Sequence, residues 1–526
     1  MFQVVRKVLG AACLAVGVFG AAAQAADLKI GFKAEVTSAD PHVLNSANRN
    51  IWAHVYDSLV DQDPLLRPRP GLALSWRMVT PTTWEFKLRP NVKFHNGAAM
   101  TADDVKYSIE RAMSLPGPRT FRSYLREVDT VSVSDPLTIQ VKSKHVSPTM
   151  PDNLGLIAIV PKSLGGNVTE DSFANGKSAI GTGPYMFANW AHGQKLVLKK
   201  NPAYWGEKEP WDTVTFQFIP REPARAAALL SGSVDIINDI TANMESSFRG
   251  NYQVASVTSY MLNYLALDQF RDSSPFIKDA SGAPLKKNPL KELKVRQALM
   301  TAINRDAIIK FLMKGDATAS EQLVPKGFLG YDPALKLPAY DLGKAKALLA
   351  EAGYPNGFQL TIHCPNNRYI NDAKLCEAVA QVFSQIGIKT EVATMPYAVF
   401  QTRAFGGGPN GEPEFSVFLV GNGAVTGDSL TGLVSTIHSF NKASATGVSN
   451  YGRYGNKEVD ALIEKASATT DEAARAALQR QAANMALHDG AIVPLLHLNA
   501  AWAMRKNIVI TPRADAFTRA MDIRVK

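Results

Sequence analysis

From Trp84 the chain alternates: Trp84, Phe86 and Leu88 fall on one face, Glu85, Lys87 and Arg89 on the other. A period of two is the mark of a half-buried strand. Pro90-Asn91 ends it, a short second strand carries Val92 and Phe94, and Asn96-Gly97 turns the chain. Thr101 then stands at a helix N-cap, with Asp103 and Asp104 in the first turn, where the helix dipole favours negative charge. Val105, Ile109 and Ala112 give this helix its apolar stripe. Upstream, the pattern predicts a strand over Asp27–Ala34 and a helix over Ile51–Leu59. Downstream, strands are expected at Thr130–Val133, Leu137–Val141, Lys195–Lys199 and Val214–Ile219, then a helix Glu222–Leu230 and a short strand Val234–Ile237.

Phe270 to Pro289 gathers Asp, Ser, Gly, Pro and Lys, and reads as an exposed loop near a crossover between domains. Helices follow at Leu293–Ile303, Asp306–Lys314 and Leu342–Ala352, the last closed by Gly353 and Pro355. Strand Phe358–Cys364, helix Asp372–Ile386 and strand Ile388–Thr394 form the clearest α/β unit, with Leu375, Val379, Val382, Phe383 and Ile386 on one helical face. Gly406–Gly411 is expected to be a flexible loop. Helices Lys457–Ala466 and Asp471–Leu487 lead to a last strand near Ile492–Leu498.

At 526 residues the chain exceeds one ordinary core, so two or three domains are expected. An apolar share of 46% with 20% charged residues describes a folded protein rather than a disordered one. Arg6-Lys7, the apolar run Val8–Ala23 and the small-x-small site Ala23-Gln24-Ala25 read as a secretory signal peptide over residues 1–25. The run is too short for a comfortable membrane anchor, and Cys13 lacks the residues that would mark a lipoprotein. The protein is therefore expected to be exported, periplasmic and soluble. Without Arg6 and Lys7, 55 basic residues face 47 acidic ones. They are scattered, with no aromatic-interleaved stripe, which argues against nucleic-acid binding. Cys364 and Cys376 remain. In an oxidising compartment they could pair; the favoured reading is two small buried hydrophobes.

Chemistry-bearing motifs are scarce. HExxH, GxSxG and Walker A patterns are absent, and Gly406-Gly-Gly-Pro-Asn-Gly411 fits GxGxxG only in letters, since it contains Pro and opens no helix. His42 and His54 have no metal-ligand spacing. Neither a metal, a cofactor nor a catalytic constellation is expected, and an exported enzyme or a non-transport periplasmic protein stands only as the alternative.

The opening block, with Gly71-Leu-Ala-Leu-Ser-Trp76, resembles bacterial extracellular solute-binding proteins of family 5, the oligopeptide-, dipeptide- and nickel-binding receptors of ABC importers. So do GTGPYMFANW (181–190), NPAYWG (201–206), VRQALMTAINRDAII (295–309), DLGKAKALLAEAGYPNGF (341–358) and NKEVDALIEKA (456–466), in the family's order. The resemblance implies an α/β, two-lobed periplasmic binding protein of the type II, Venus-flytrap kind. Mixed sheets and an extra subdomain in the first lobe are expected. The first lobe would span 26–268, the second 269–490, and 491–526 would return to the first. It also implies a monomer that closes on a peptide-like or other small carboxylate-bearing solute and docks on a membrane permease. By position in the family's ligand loops, Asn45 and Ser46 are expected to hydrogen-bond ligand, and Arg368, beside Tyr369, to hold a carboxylate bidentately. Where relatives hold an α-ammonium with Asp, this chain has Asn422. Either Asp428 takes over or the ligand has no free amino terminus, because a neutral amide cannot offset a buried ammonium.

Overall fold

The computed structural model describes residues 26–116, 120–166 and 168–526; the expected signal peptide lies outside them. Two long strands, Tyr252–Leu267 and Val493–Arg505, pair antiparallel and belong to both lobes. In the first lobe, Tyr252–Thr258 faces Arg505–Asn499. There Val493–Arg505 also pairs with Ile236–Asn238, beside which lie Asp27–Phe32, Thr213–Phe218, Lys195–Lys200 and Tyr185–Ala191 in turn. In the second lobe, Leu262–Leu265 faces His497–Val493. There Tyr252–Leu267 pairs with Val417–Asn422, and beyond it lie Gln359–Pro365 and, on its flank, Lys389–Met395. The register shifts between Thr258 and Leu262, so the ladder is broken at Ser259-Tyr260-Met261. A broken ladder bends more readily than a continuous one.

The extra subdomain is a four-stranded antiparallel sheet, Ala73–Thr80, Thr83–Leu88, Thr138–Ser143 and Val128–Asp135, covered by helix Ala102–Ser114. Val105, Ile109 and Ala112 are fully buried as the stripe requires. Asp104 accepts the Thr101 N–H at 2.8 Å, satisfying a donor at the helix start. Glu85, placed on the polar face by its period, is buried all the same. Arg77 and Gln140 cover it with hydrogen bonds.

Three expectations are corrected. The helix forecast over Ile51–Leu59 is Ser46–Trp52. Val55 and Leu59 are buried for another reason: the backbone at 54–55 accepts N–H groups from Gly183 and Tyr185. A Cβ on Gly183 would stand 2.6 Å from the His54 oxygen, which is why this turn carries glycine. Gly406–Gly411 is not simply loop, since helix Tyr397–Gly406 runs into it and a helical turn spans Pro409–Gly411. Cys364 and Cys376 are buried but not separate, for they form a disulfide. Cys364 lies near the end of strand Gln359–Pro365 and Cys376 on helix Asp372–Gln385. The turn between them folds the two Cα atoms to 6.7 Å, within bridging reach.

The hydrophobic clusters follow the lobes. One holds Leu28, Ile30, Phe216 and Trp502. Two others hold Leu265, Ile362, Val379 and Leu496, and Leu262, Phe418, Ile463 and Leu487. A smaller cluster joins the lobes: Leu66 from the first packs with Val324, Phe328 and Ala424 from the second, beside Tyr260. Gln62 donates to the Val425 carbonyl at 3.2 Å, and Arg126 to that of Ala445 at 2.6 Å. The lobes are thus in direct contact.

Candidate functional site

The break in the long strands forms the floor between the lobes. Ser259 donates through its hydroxyl to the Leu498 carbonyl at 2.7 Å, and the Tyr260 N–H donates to that of Ala514 at 3.0 Å. Tyr260 is half-buried, and burial pushes its phenol up to about 12 against the charges of Arg49 and Arg368. It therefore lies within the field of one arginine from each lobe.

In the first lobe stands helix Ser46–Trp52. Asn45 caps it, its side-chain oxygen accepting N–H groups from Ala47 at 2.9 Å and Asn48 at 3.4 Å. That oxygen is occupied, whereas Ser46 is exposed. Arg49, three residues on, places its guanidinium 5.4 Å from the Phe517 ring centre. Tyr124, its phenol pushed up by burial, also feels the Arg49 charge.

On the second-lobe side, Arg368 is exposed, its guanidinium 5.0 Å from the Tyr397 ring and 5.6 Å from that of Tyr369. Tyr369 is half-buried, its phenol pushed up to about 12 by burial, and its oxygen accepts the Gly421 N–H at 2.8 Å. Asn422 donates to the Thr436 hydroxyl at 2.9 Å and accepts the Gly423 N–H at 2.8 Å, so both ends of its amide are engaged within its own lobe. Asp428 is 3% exposed. It caps the next helix through the Leu430 N–H, accepts from Gln479 at 2.8 Å and faces Arg475 at 3.6 Å. Burial pushes its carboxyl upward.

Of the six residues singled out in the sequence, Arg368, Tyr369 and Ser46 thus keep groups available. Asn45, Asn422 and Asp428 spend theirs on backbone and neighbours. Arg49, Tyr260, Tyr397 and Phe517 escaped the sequence reading. Arg49 alone left a signal, lying one helical turn from Ser46. Among the described residues, neither Arg49 nor Arg368 has a carboxylate within 4 Å. Two unpaired guanidiniums and several aromatic rings can bind an anion with an apolar body. They offer no nucleophile–base pair.

His42 and His54 are fully buried, and burial lowers both to about 4. Each holds structure, His42 bonding the Ala158 carbonyl and His54 the Ala520 N–H. No group of three metal-ligating side chains occurs among the described residues.

Residues 67–444 match the family described as bacterial extracellular solute-binding proteins, family 5. The glutathione-binding protein GsiB of Pectobacterium atrosepticum is 30% identical over 468 residues, covering 87% of this chain and 86% of the relative. The periplasmic binding protein DppA of Helicobacter pylori, solved with the peptide STSA, superposes with a TM-score of 0.77 at 26% identity. It covers 95% of this chain and 98% of its own. The binding protein AgaA of A. tumefaciens R10, solved with agropinic acid, gives 0.74 at 25% identity, with 95% and 99% covered. By name these relatives are binding proteins, DppA an ABC transporter-associated one. With two lobes in contact across a bent pair of strands and a family match over most of its length, the chain belongs to family 5 of the bacterial extracellular solute-binding proteins of ABC importers.

Proposed function

We propose that this protein is a periplasmic receptor that captures a small, carboxylate-bearing, peptide-like solute between its lobes and presents it to an ABC permease. The observation that carries this reading is the pair of arginines, Arg49 and Arg368. They come from opposite lobes, each rests near aromatic rings, the charge of each acts on the Tyr260 phenol, and among the described residues neither has a carboxylate within 4 Å. Two like charges brought together by closure repel unless an anion lies between them, so a ligand with one or two carboxylates stabilises the closed form selectively. Ser46, Tyr260, Tyr369 and Tyr397 supply hydroxyls and ring faces around it.

The engagement of Asn422 and Asp428 within the second lobe supports a ligand that does not place a free α-ammonium there. Names among the relatives fit the carboxylate-bearing part of this range: glutathione, the peptide STSA and agropinic acid all carry a carboxylate. Lobe I in this reading comprises residues 26–258 and 499–526, and lobe II those between the register breaks. The crossovers thus lie before 268/269 and after 490/491.

Isothermal titration of the purified chain with glutathione, short peptides, opines and their carboxylate esters tests this. Free acids are expected to bind at least about tenfold more tightly than their esters, since each lost charge-assisted contact is worth about 1.5–3 kcal/mol. Equal binding of acids and esters would refute it.

A further inference from the structure

The turn that carries Arg368 is held from more sides than a surface turn needs. The Cys364–Cys376 disulfide closes it at the base, spanning a separation of 12 residues, and both cysteines are fully buried in the second-lobe core. Inside it, one oxygen of Asp372 accepts the N–H groups of Arg368 at 2.8 Å and Tyr369 at 3.0 Å. Asn366 donates to the Met395 carbonyl at 3.0 Å, and Asn367 accepts the Tyr397 N–H at 2.8 Å. Asn371 adopts a left-handed φ of 56°, and the Leu375 N–H returns to its carbonyl at 2.8 Å. Leu375, Val379 and Ile362 of the flanking strand and helix are fully buried in the same core. The cross-link ties strand to helix on either side of the turn, one residue before the strand ends and about one turn into the helix.

We propose that the Cys364–Cys376 disulfide and Asp372 are positioning residues for ligand capture: they hold the Arg368–Tyr369 backbone in its binding geometry before the solute arrives. The inference rests on Arg368 being a carboxylate-binding residue of the cleft. Arginine is long and flexible, and ordering it on binding opposes affinity. A backbone fixed in advance, with the guanidinium laid over Tyr397 and Tyr369, removes much of that cost. The bridge being buried, its part is lasting preorganisation and not exchange with external thiols.

The test uses the full chain, oxidised, with S-methylglutathione as the probe because it has no thiol to exchange. In the Cys364→Ala/Cys376→Ala variant, amide hydrogen exchange over residues 366–371 is expected to quicken at least about tenfold, while strands Gln359–Pro365 and Val417–Asn422 keep their protection. Affinity for the probe should fall about tenfold. In an Arg368→Ala background the cysteine change should have less than about a twofold effect, because there is no guanidinium left to position. Asp372→Asn, which leaves core and bridge intact, should reproduce the loss should the double variant fold poorly.

Losses that simply multiply across the cycle, or unchanged exchange over 366–371, would overturn the inference. So would an affinity that depends on Arg368 but not on the cysteine pair or Asp372. Where S-methylglutathione does not bind, the cycle is run with the acid of the titration panel that does; a panel with no binder, or a bound acid that ignores Arg368→Ala, overturns the carboxylate-binding cleft itself and, with it, the positioning role of the bridge.

Discussion

Leu66 offers a test of closure separate from ligand chemistry. It sits on the first-lobe turn Asp63–Arg67 with a left-handed φ of 62° and no exposure. Of the buried apolar residues clustered with it among the described residues, Val324, Phe328 and Ala424 belong to the second lobe and Ala514 to its own side. Most of what covers it therefore arrives on closing. A leucine truncated in a single core loses about 2.7–5 kcal/mol. Here the part contributed by the opposite lobe governs closure, so Leu66→Ala should weaken the closed form by about 2 kcal/mol. Apparent affinity follows the population of the closed form, so Kd should rise about 30-fold. Small-angle scattering should show a more open particle at equal ligand. Leu66→Gly separates the two contributions. It relieves the left-handed backbone, recovering about 1 kcal/mol of fold stability, yet restores no cross-lobe contact. A Leu66→Ala protein that melts earlier but binds and closes as before would refute the cross-lobe account.

Arg368→Ala and Arg49→Ala should each weaken a carboxylate ligand by about 1.5–3 kcal/mol in titration calorimetry; affinity unchanged on either removes that arginine from the site. Gly421→Ala would set a Cβ 2.6 Å from the Tyr369 ring, displacing the ring and the hydrogen bond it accepts. Binding should drop about tenfold, whereas Tyr369→Phe, which keeps the ring and loses the hydroxyl with the bond it accepts, should lose about 0.5–1.5 kcal/mol. Asp152, from the first lobe, is raised to about 8 by burial and by the second-lobe Asp428 and Glu472, with Arg475 opposing. The closed form then binds a proton that a solvated aspartate releases near 4, so its stability should fall as pH rises from about 4 through 8. Scattering and affinity across that range should show opening with rising pH, and Asp152→Asn should flatten the profile. A slope that survives the substitution would clear Asp152 of the effect.

The elements that were legible in the sequence were those buried on one face only. Helix Ala102–Ser114 and strand Thr83–Leu88 show their core sides as periods, and Asp372–Gln385 likewise. The longest strand, Tyr252–Leu267, was not legible. Its first half is largely half-exposed, and its last six residues are buried on both faces, so no single period runs along it. Helix Tyr397–Gly406, rich in aromatic and β-branched residues with low helix propensity, was hidden beside a glycine run. Arg368 and Tyr369 stood out in the sequence because they lie in a loop recognisable from the family. Tyr260 did not, since nothing local marks a residue at the break between two strands distant in sequence.

By itself, the sequence determined the α/β class, the family and the absence of a catalytic motif, because turn residues, helix caps and one-sided apolar periods are local and survive being read in a line. Only the tertiary structure decided that Cys364 meets Cys376, that Asn45, Asn422 and Asp428 spend their polar groups on the backbone and on neighbours, and that Arg49 and Arg368 are left with no carboxylate within 4 Å among the described residues. The physical reason is common to all three. Whether a polar or sulfur-bearing group is free or already satisfied depends on partners brought near it by folding, and most of those partners lie too far along the chain to leave a mark beside it.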